Sequence, residues 1–177
     1  MNAEMAHQSK PAAAMRENLL IPLKKEFKAF FLCMKETIAS MSDADWRSGP
    51  SNRCVPARQA CHCLMCAEGL ADTPRPLARE HGLVDYRWRR IVPAEDYPAQ
   101  AAVLEYIDEV EPLVYAALAR AVDRTCAGKA WSNPPLNRWL YVLRHSIIHL
   151  SYMRHDLIER GIKVPDYIKY VARIMES

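Results

Sequence analysis

His145 and His149 stand four positions apart in LRHSIIHLSYM. At about 100° per residue, that spacing brings two imidazoles within roughly 40° of each other on one helix face. Such a pair can ligate a divalent cation or pack as polar groups beside a core, and a lone His-x3-His motif is compatible with both. Two features favour ligands. Tyr141, Ile148 and Tyr152 lie on the same side and put the pair at the edge of a core, although Arg138 and Asp156 share that side. A third histidine, His62, sits in RQACHCLMC among apolar and sulfur side chains. Three protein ligands with open positions are the pattern of a reactive metal site, whereas structural zinc takes four.

The cysteines beside His62 invite a zinc-cluster reading, but Cys61 and Cys63 point about 200° apart on a helix and cannot share one ion. Cys63-x2-Cys66 and His62-x3-Cys66 do converge, which leaves Cys66 open as a fourth ligand or an oxidisable thiol. Packing as small hydrophobes is the alternative role for all three. Arg87, Arg89 and Arg90 around Trp88 suit bidentate contact with a carboxylate at the mouth of a site, or a solvated loop anchored by one indole. Glu68 stands six positions beyond His62 and faces elsewhere. His155 and Asp156 lie past the apolar stripe and read as surface residues. His7 and His81 have no partner visible along the chain.

These groups need a scaffold, and apolar periodicity supplies one. Leu20, Leu23, Phe27, Phe30, Met34, Ile38 and Met41 recur at steps of three and four, which predicts one long helix ending near Ser42. WRSGPSN then breaks the pattern as a loop. Pro56, tolerated in a first helical turn, opens a second helix to about Ala71 that carries His62. Residues 72–97 hold Pro74, Pro76, Gly82 and Pro93 and read as a long, mostly irregular connection. A third helix starts around Pro98 and runs through Val122, bent at Pro112, with Gly128 past its end. WSNPPLN starts a fourth, whose Leu136, Leu140, Leu143, Ile147, Leu150 and Leu157 share one face until Gly161 stops it. A short terminal helix follows Pro165. No strand-like alternation or solenoid repeat appears, so the fold class expected is all-α, a four-helix bundle with a long connection between its second and third helices.

Bulk properties narrow the function. The chain has 177 residues, half of them hydrophobic and a quarter charged, with five glycines, which excludes disorder and fibrous repeats. Its length suits a single domain over residues 16–177 after a flexible segment 1–15. A net charge of +3 does not imply a nucleic-acid partner. Lys and Glu interrupt the greasiest stretch, LLIPLKKEFKAFFLCM, so no membrane span is expected, and the N-terminus lacks an export pattern. The expected setting is cytoplasmic, with six reduced cysteines.

The order of these features resembles the DinB/YfiT (DinB-like) superfamily of metal-binding four-helix bundles. DADWRSGPSNRCVPARQACHC is similar to that family's acidic and aromatic turn, its Pro/Gly/Ser loop and its following helix with a central histidine. AVLEYIDEVEPLVYAALARA resembles its third helix, and RHSIIHLSYMRHDLIERGIKVPDY its His-x3-His helix with a Gly-Ile and Val-Pro exit. The resemblance covers most of the chain from about Leu20. It implies one divalent metal, zinc or nickel, held by His62, His145 and His149, with water in the open positions. It also implies a metal-dependent enzyme using a low-molecular-weight thiol as S-transferase or isomerase, acting on a small molecule, and a symmetric homodimer. The chain departs from the family pattern in Leu150-Ser151-Tyr152 after the last histidine and in its cysteine-rich second helix. A metal-dependent hydrolase is the alternative enzyme, and a non-catalytic helical binding or stress-response module the alternative outside enzymes.

Overall fold

The computed structural model describes residues 3–71, 73, 75–83, 91–126 and 135–176, with side chains from residue 13 onward and not that of Pro135. Every regular element among them is helical. The longest is α1, Ala3–Ala39. Its buried residues Leu20, Phe27, Phe30, Phe31, Met34 and Ile38 keep the three-and-four spacing that drove the expectation. The backbone helix nevertheless begins well before Leu20. The alanine run in KPAAAMREN has high helix propensity without needing an apolar face, so periodicity does not register it.

The stretch after α1, expected as a loop, contains a short helix α2, Asp43–Arg47. Ser42 caps it, its hydroxyl accepting from the Asp45 N–H at 3.1 Å. Trp46 is fully buried, and its indole N–H donates to the Pro98 carbonyl at 2.8 Å, pinning this turn to the entry of a later helix. A 3₁₀ turn, Asn52–Cys54, leads into α3, Pro56–Ala71, with the bounds that Pro56 and Ala71 mark in the sequence.

The connection expected to be mostly irregular holds a further helix, α4, Leu77–Glu80, and a 3₁₀ turn, Ala94–Asp96. Glu68 fastens α4 to α3: its carboxylate accepts from the Ala78 N–H at 3.2 Å and from the Tyr106 hydroxyl at 2.9 Å. Tyr106 belongs to α5, Gln100–Cys126, which stays one helix through Pro112. Next comes α6, Pro135–Glu159, and then Gly161, at φ 76°, turns the chain toward α7, Tyr167–Glu176. Only a residue without a Cβ adopts that φ without strain. Arg87, Trp88, Arg89, Arg90, Gly128 and residues 131–134 lie outside the described residues, as does the side chain of His7.

Helix α1 packs chiefly on α5 and α7, and α3 packs on α6 and α5. One apolar cluster spans these contacts, from Phe27, Phe31 and Met34 through Leu64, Val110, Leu118 and Leu150. Trp139 meets Phe27 edge-on, with ring centroids 5.7 Å apart. The buried face of α6 keeps Leu136, Leu143, Leu150 and Leu157 of the expected stripe and widens to Trp139, Val142, Ser146 and Met153, whereas Leu140 is exposed. Among the described residues, no helix is long and apolar enough to cross a membrane.

Candidate metal centre

The pairing of α3 with α6 decides the geometry of the histidines. His62 sits mid-way along α3, and His145 and His149 lie one turn apart on α6. Nε2 of His62 is 3.0 Å from Nε2 of His145, and Nε2 of His149 is 3.1 Å from that same atom. All three side chains offer a ligand atom within 4.8 Å of one another, so the structure brings the three sequence candidates to one point. His149 is buried, and His62 and His145 are half-buried.

Ligand geometry tests the fit. Nitrogens bound about 2.0–2.1 Å from zinc lie about 3.3 Å apart at the tetrahedral angle and about 2.9 Å apart at a right angle. The two observed separations fall inside that interval. Proton counting points the same way. Each neutral imidazole carries one N–H, and His149 commits its own on the far side of the ring, where Nδ1 meets Oε1 of Gln59. Its Nε2 is therefore a bare lone pair directed at the other two rings. With Nε2 of His62 and of His145 also bare, a cation would satisfy the three nitrogens at once.

Electrostatics also suit neutral ligands. Burial first, and then the charges of His145 and His62, draw His149 down to about 4, and burial lowers His145 as well. Both shifts favour the uncharged ring, the state a metal requires. The donor set carries no negative charge, so a divalent ion held by it keeps its full charge for whatever fills the remaining positions.

Neighbouring side chains divide into supports and walls. Tyr141 stacks on His145, with ring centroids 5.5 Å apart and planes 12° from parallel. On the His149 side opens a cavity of about 720 Å³ lined by Pro50, Arg53, Cys54, Tyr152, His155, Asp156 and Glu159, with Gln59 and His149 among its walls. His155 is exposed, as expected of a surface residue, and Asp156 is half-buried; both also line this cavity, where the end of α6 meets the segment before α3. Tyr152 and Ile148 are exposed, at 65% and 46%, and Tyr141 at 56%. They flank the cluster from the solvent side.

The other candidates separate cleanly. Cys61 and Cys63 are buried on the core side, where burial pushes their thiols far up, so they are packing groups. Cys66 is half-buried, and the metal-capable group among the described residues comprises the three histidines without it. Cys66 lines a separate cavity of about 540 Å³ with Leu70, Arg138 and Tyr141. Glu68 is directed at Tyr106 and α4, away from the histidines. His81 does have a partner, Glu109, at 3.0 Å. Gln59 escaped the sequence reading. Its only signal is a position one turn before His62, which puts the two on the same side of α3. Comparison with family models, with curated proteins and with solved structures finds no match.

Proposed function

We propose that this chain is a DinB-like four-helix bundle that binds one divalent cation, zinc or nickel, through His62, His145 and His149. The observation carrying this reading is the meeting of three Nε2 atoms from two paired helices, at 3.0 and 3.1 Å. Bound there, the cation supplies Lewis acidity, which activates a nucleophile near neutral pH. The protein's own residues do the rest. Gln59 and the packing of α3 on α6 hold His149 in place, and Tyr141 braces His145.

The cavity beside His149 has the size of a small-molecule site. Pro50 and Tyr152 give it apolar walls, Arg53 a cationic group, and Asp156 and Glu159 anionic ones. The reaction class that goes with the reading is thiol-dependent S-transfer or isomerisation of a small electrophilic substrate. His62 and His145 are only half-buried, so solvent reaches part of the cluster.

The test is elemental analysis of protein purified without an affinity tag. About one equivalent of zinc or nickel per chain is expected, and its loss in His145→Ala and His149→Ala. Unchanged metal content in those variants would remove the site assignment. Screening metal-loaded protein with thiols and electrophilic acceptors then tests the reaction class. Turnover that survives ligand substitution would refute it.

A further inference from the structure

Gln59 is only 5% exposed, and both ends of its amide are engaged. Its Nε2 donates to the Arg53 carbonyl in the 3₁₀ turn Asn52–Cys54, and its Oε1 faces Nδ1 of His149. The Arg53 carbonyl can only accept, so the amide has one permitted orientation, with oxygen toward the histidine. An oxygen acceptor in turn requires a proton on Nδ1. The chain of donors and acceptors therefore leads from a main-chain carbonyl to one imidazole tautomer.

We infer that Gln59 is a positioning residue that fixes His149 as its Nδ1–H tautomer and aims the bare Nε2 at the point where His62 and His145 meet. Free imidazole side chains favour the other tautomer, in which the proton would occupy the nitrogen that must ligate. A buried acceptor behind a ligating histidine sets both ring orientation and basicity, and losing such a partner typically weakens metal binding about 10–100-fold. The economy of the arrangement lies in α3. One turn of it carries both a ligand, His62, and the residue that orients a ligand on α6. Docking of the two helices thus sets position and protonation state together. The consequence for affinity rests on the metal reading above; the tautomer assignment does not.

The experiment uses metal-free full-length protein, with long-range proton–nitrogen NMR assigning the His149 ring. The wild type should show the proton on Nδ1. Gln59→Leu should move it wholly or partly to Nε2, and Gln59→Glu, which still presents an acceptor oxygen, should restore Nδ1–H. Competition titrations with zinc alone should show affinity about 10–100-fold weaker in Gln59→Leu and largely recovered in Gln59→Glu. A proton on Nε2 in the wild type overturns the inference even if Gln59→Leu fails to fold. So does an unchanged tautomer, or unchanged zinc affinity, in a folded Gln59→Leu. A wild type with Nδ1–H that takes up no zinc upholds the tautomer assignment and removes the metal reading instead.

Discussion

Gly49→Ala and Gly69→Ala should move stability in opposite directions, although each adds one methyl group. A Cβ at Gly49 would lie 2.7 Å from the carbonyl carbon and oxygen of Cys54 and 2.9 Å from the Val55 nitrogen. Those are main-chain atoms of the 3₁₀ turn and of the residue joining it to α3, so no side chain can swing away, and overpacking of this kind costs about 1–3 kcal/mol. At Gly69, on the exposed side of α3, a Cβ meets nothing within 4 Å. There the substitution removes a flexible residue from a helix interior and should add about 0.5–1 kcal/mol. With a urea slope of about 2 kcal/mol/M, the midpoint should fall by about 0.5–1.5 M for Gly49→Ala and rise by about 0.3–0.5 M for Gly69→Ala. Equilibrium urea unfolding followed by far-UV circular dichroism measures both, provided the slopes stay equal. Because the displaced turn carries the Arg53 carbonyl that holds Gln59, zinc affinity should also drop in Gly49→Ala and hold in Gly69→Ala. A Gly49→Ala protein with the wild-type midpoint, or a destabilised Gly69→Ala, would refute the steric reasoning.

Trp46→Phe should cost about 1–3 kcal/mol in the same assay, because it strips the Pro98 carbonyl of the indole N–H at a buried position; a neutral result would mean that water replaces the indole. Thiol labelling of native protein, read by peptide mass spectrometry, should modify the half-buried Cys54, Cys66 and Cys126 and spare Cys33, Cys61 and Cys63. Rapid labelling of Cys61 or Cys63 would contradict their place in the core. Ser42→Ala should destabilise by about 1 kcal/mol at neutral pH through loss of the α2 cap. The Ser42 hydroxyl, ahead of the opposing effect of desolvation and with help from the Arg160 charge, holds Asp45 below its usual 3.8. A lowered carboxylate adds stability that is complete above the ordinary value and lost as pH falls through the folded one. The gap between Ser42→Ala and wild type should therefore narrow below about pH 4. Curves that stay parallel to pH 2 would show that Ser42 does not act on that carboxylate.

The long helices were legible because each buries a stripe with the period of its backbone. Pro56 and Gly161 mark boundaries in the sequence through the physics that ends helices in the structure. Helices α2 and α4 were not, since five and four residues are too few to display a period. Their stability comes from Trp46 and Glu68 reaching partners far along the chain. The wider buried face of α6 has a similar cause: Trp139 turns inward to meet Phe27 of α1, a pairing that spacing along α6 does not announce. At the site, spacing alone joins His145 to His149. That His62 meets them follows from the docking of α3 on α6, which residue order cannot express. Gln59, His155 and Asp156 come beside the cluster only through that docking and through the meeting of the end of α6 with the segment before α3.

The splitting of the histidines between α3 and α6 has a thermodynamic corollary. His62 and His145 are 83 residues apart, and closing a chain segment of that length costs about 4 kcal/mol of entropy by the logarithmic rule. Phe27, Leu64, Leu118 and Leu150 already meet that cost through a shared apolar interior that involves no imidazole. An ion would thus arrive at a cleft assembled in advance, unlike the small domains that remain unfolded until they capture one. Stripping the protein with a chelator should silence the centre while leaving the helices and their cooperative melting in place.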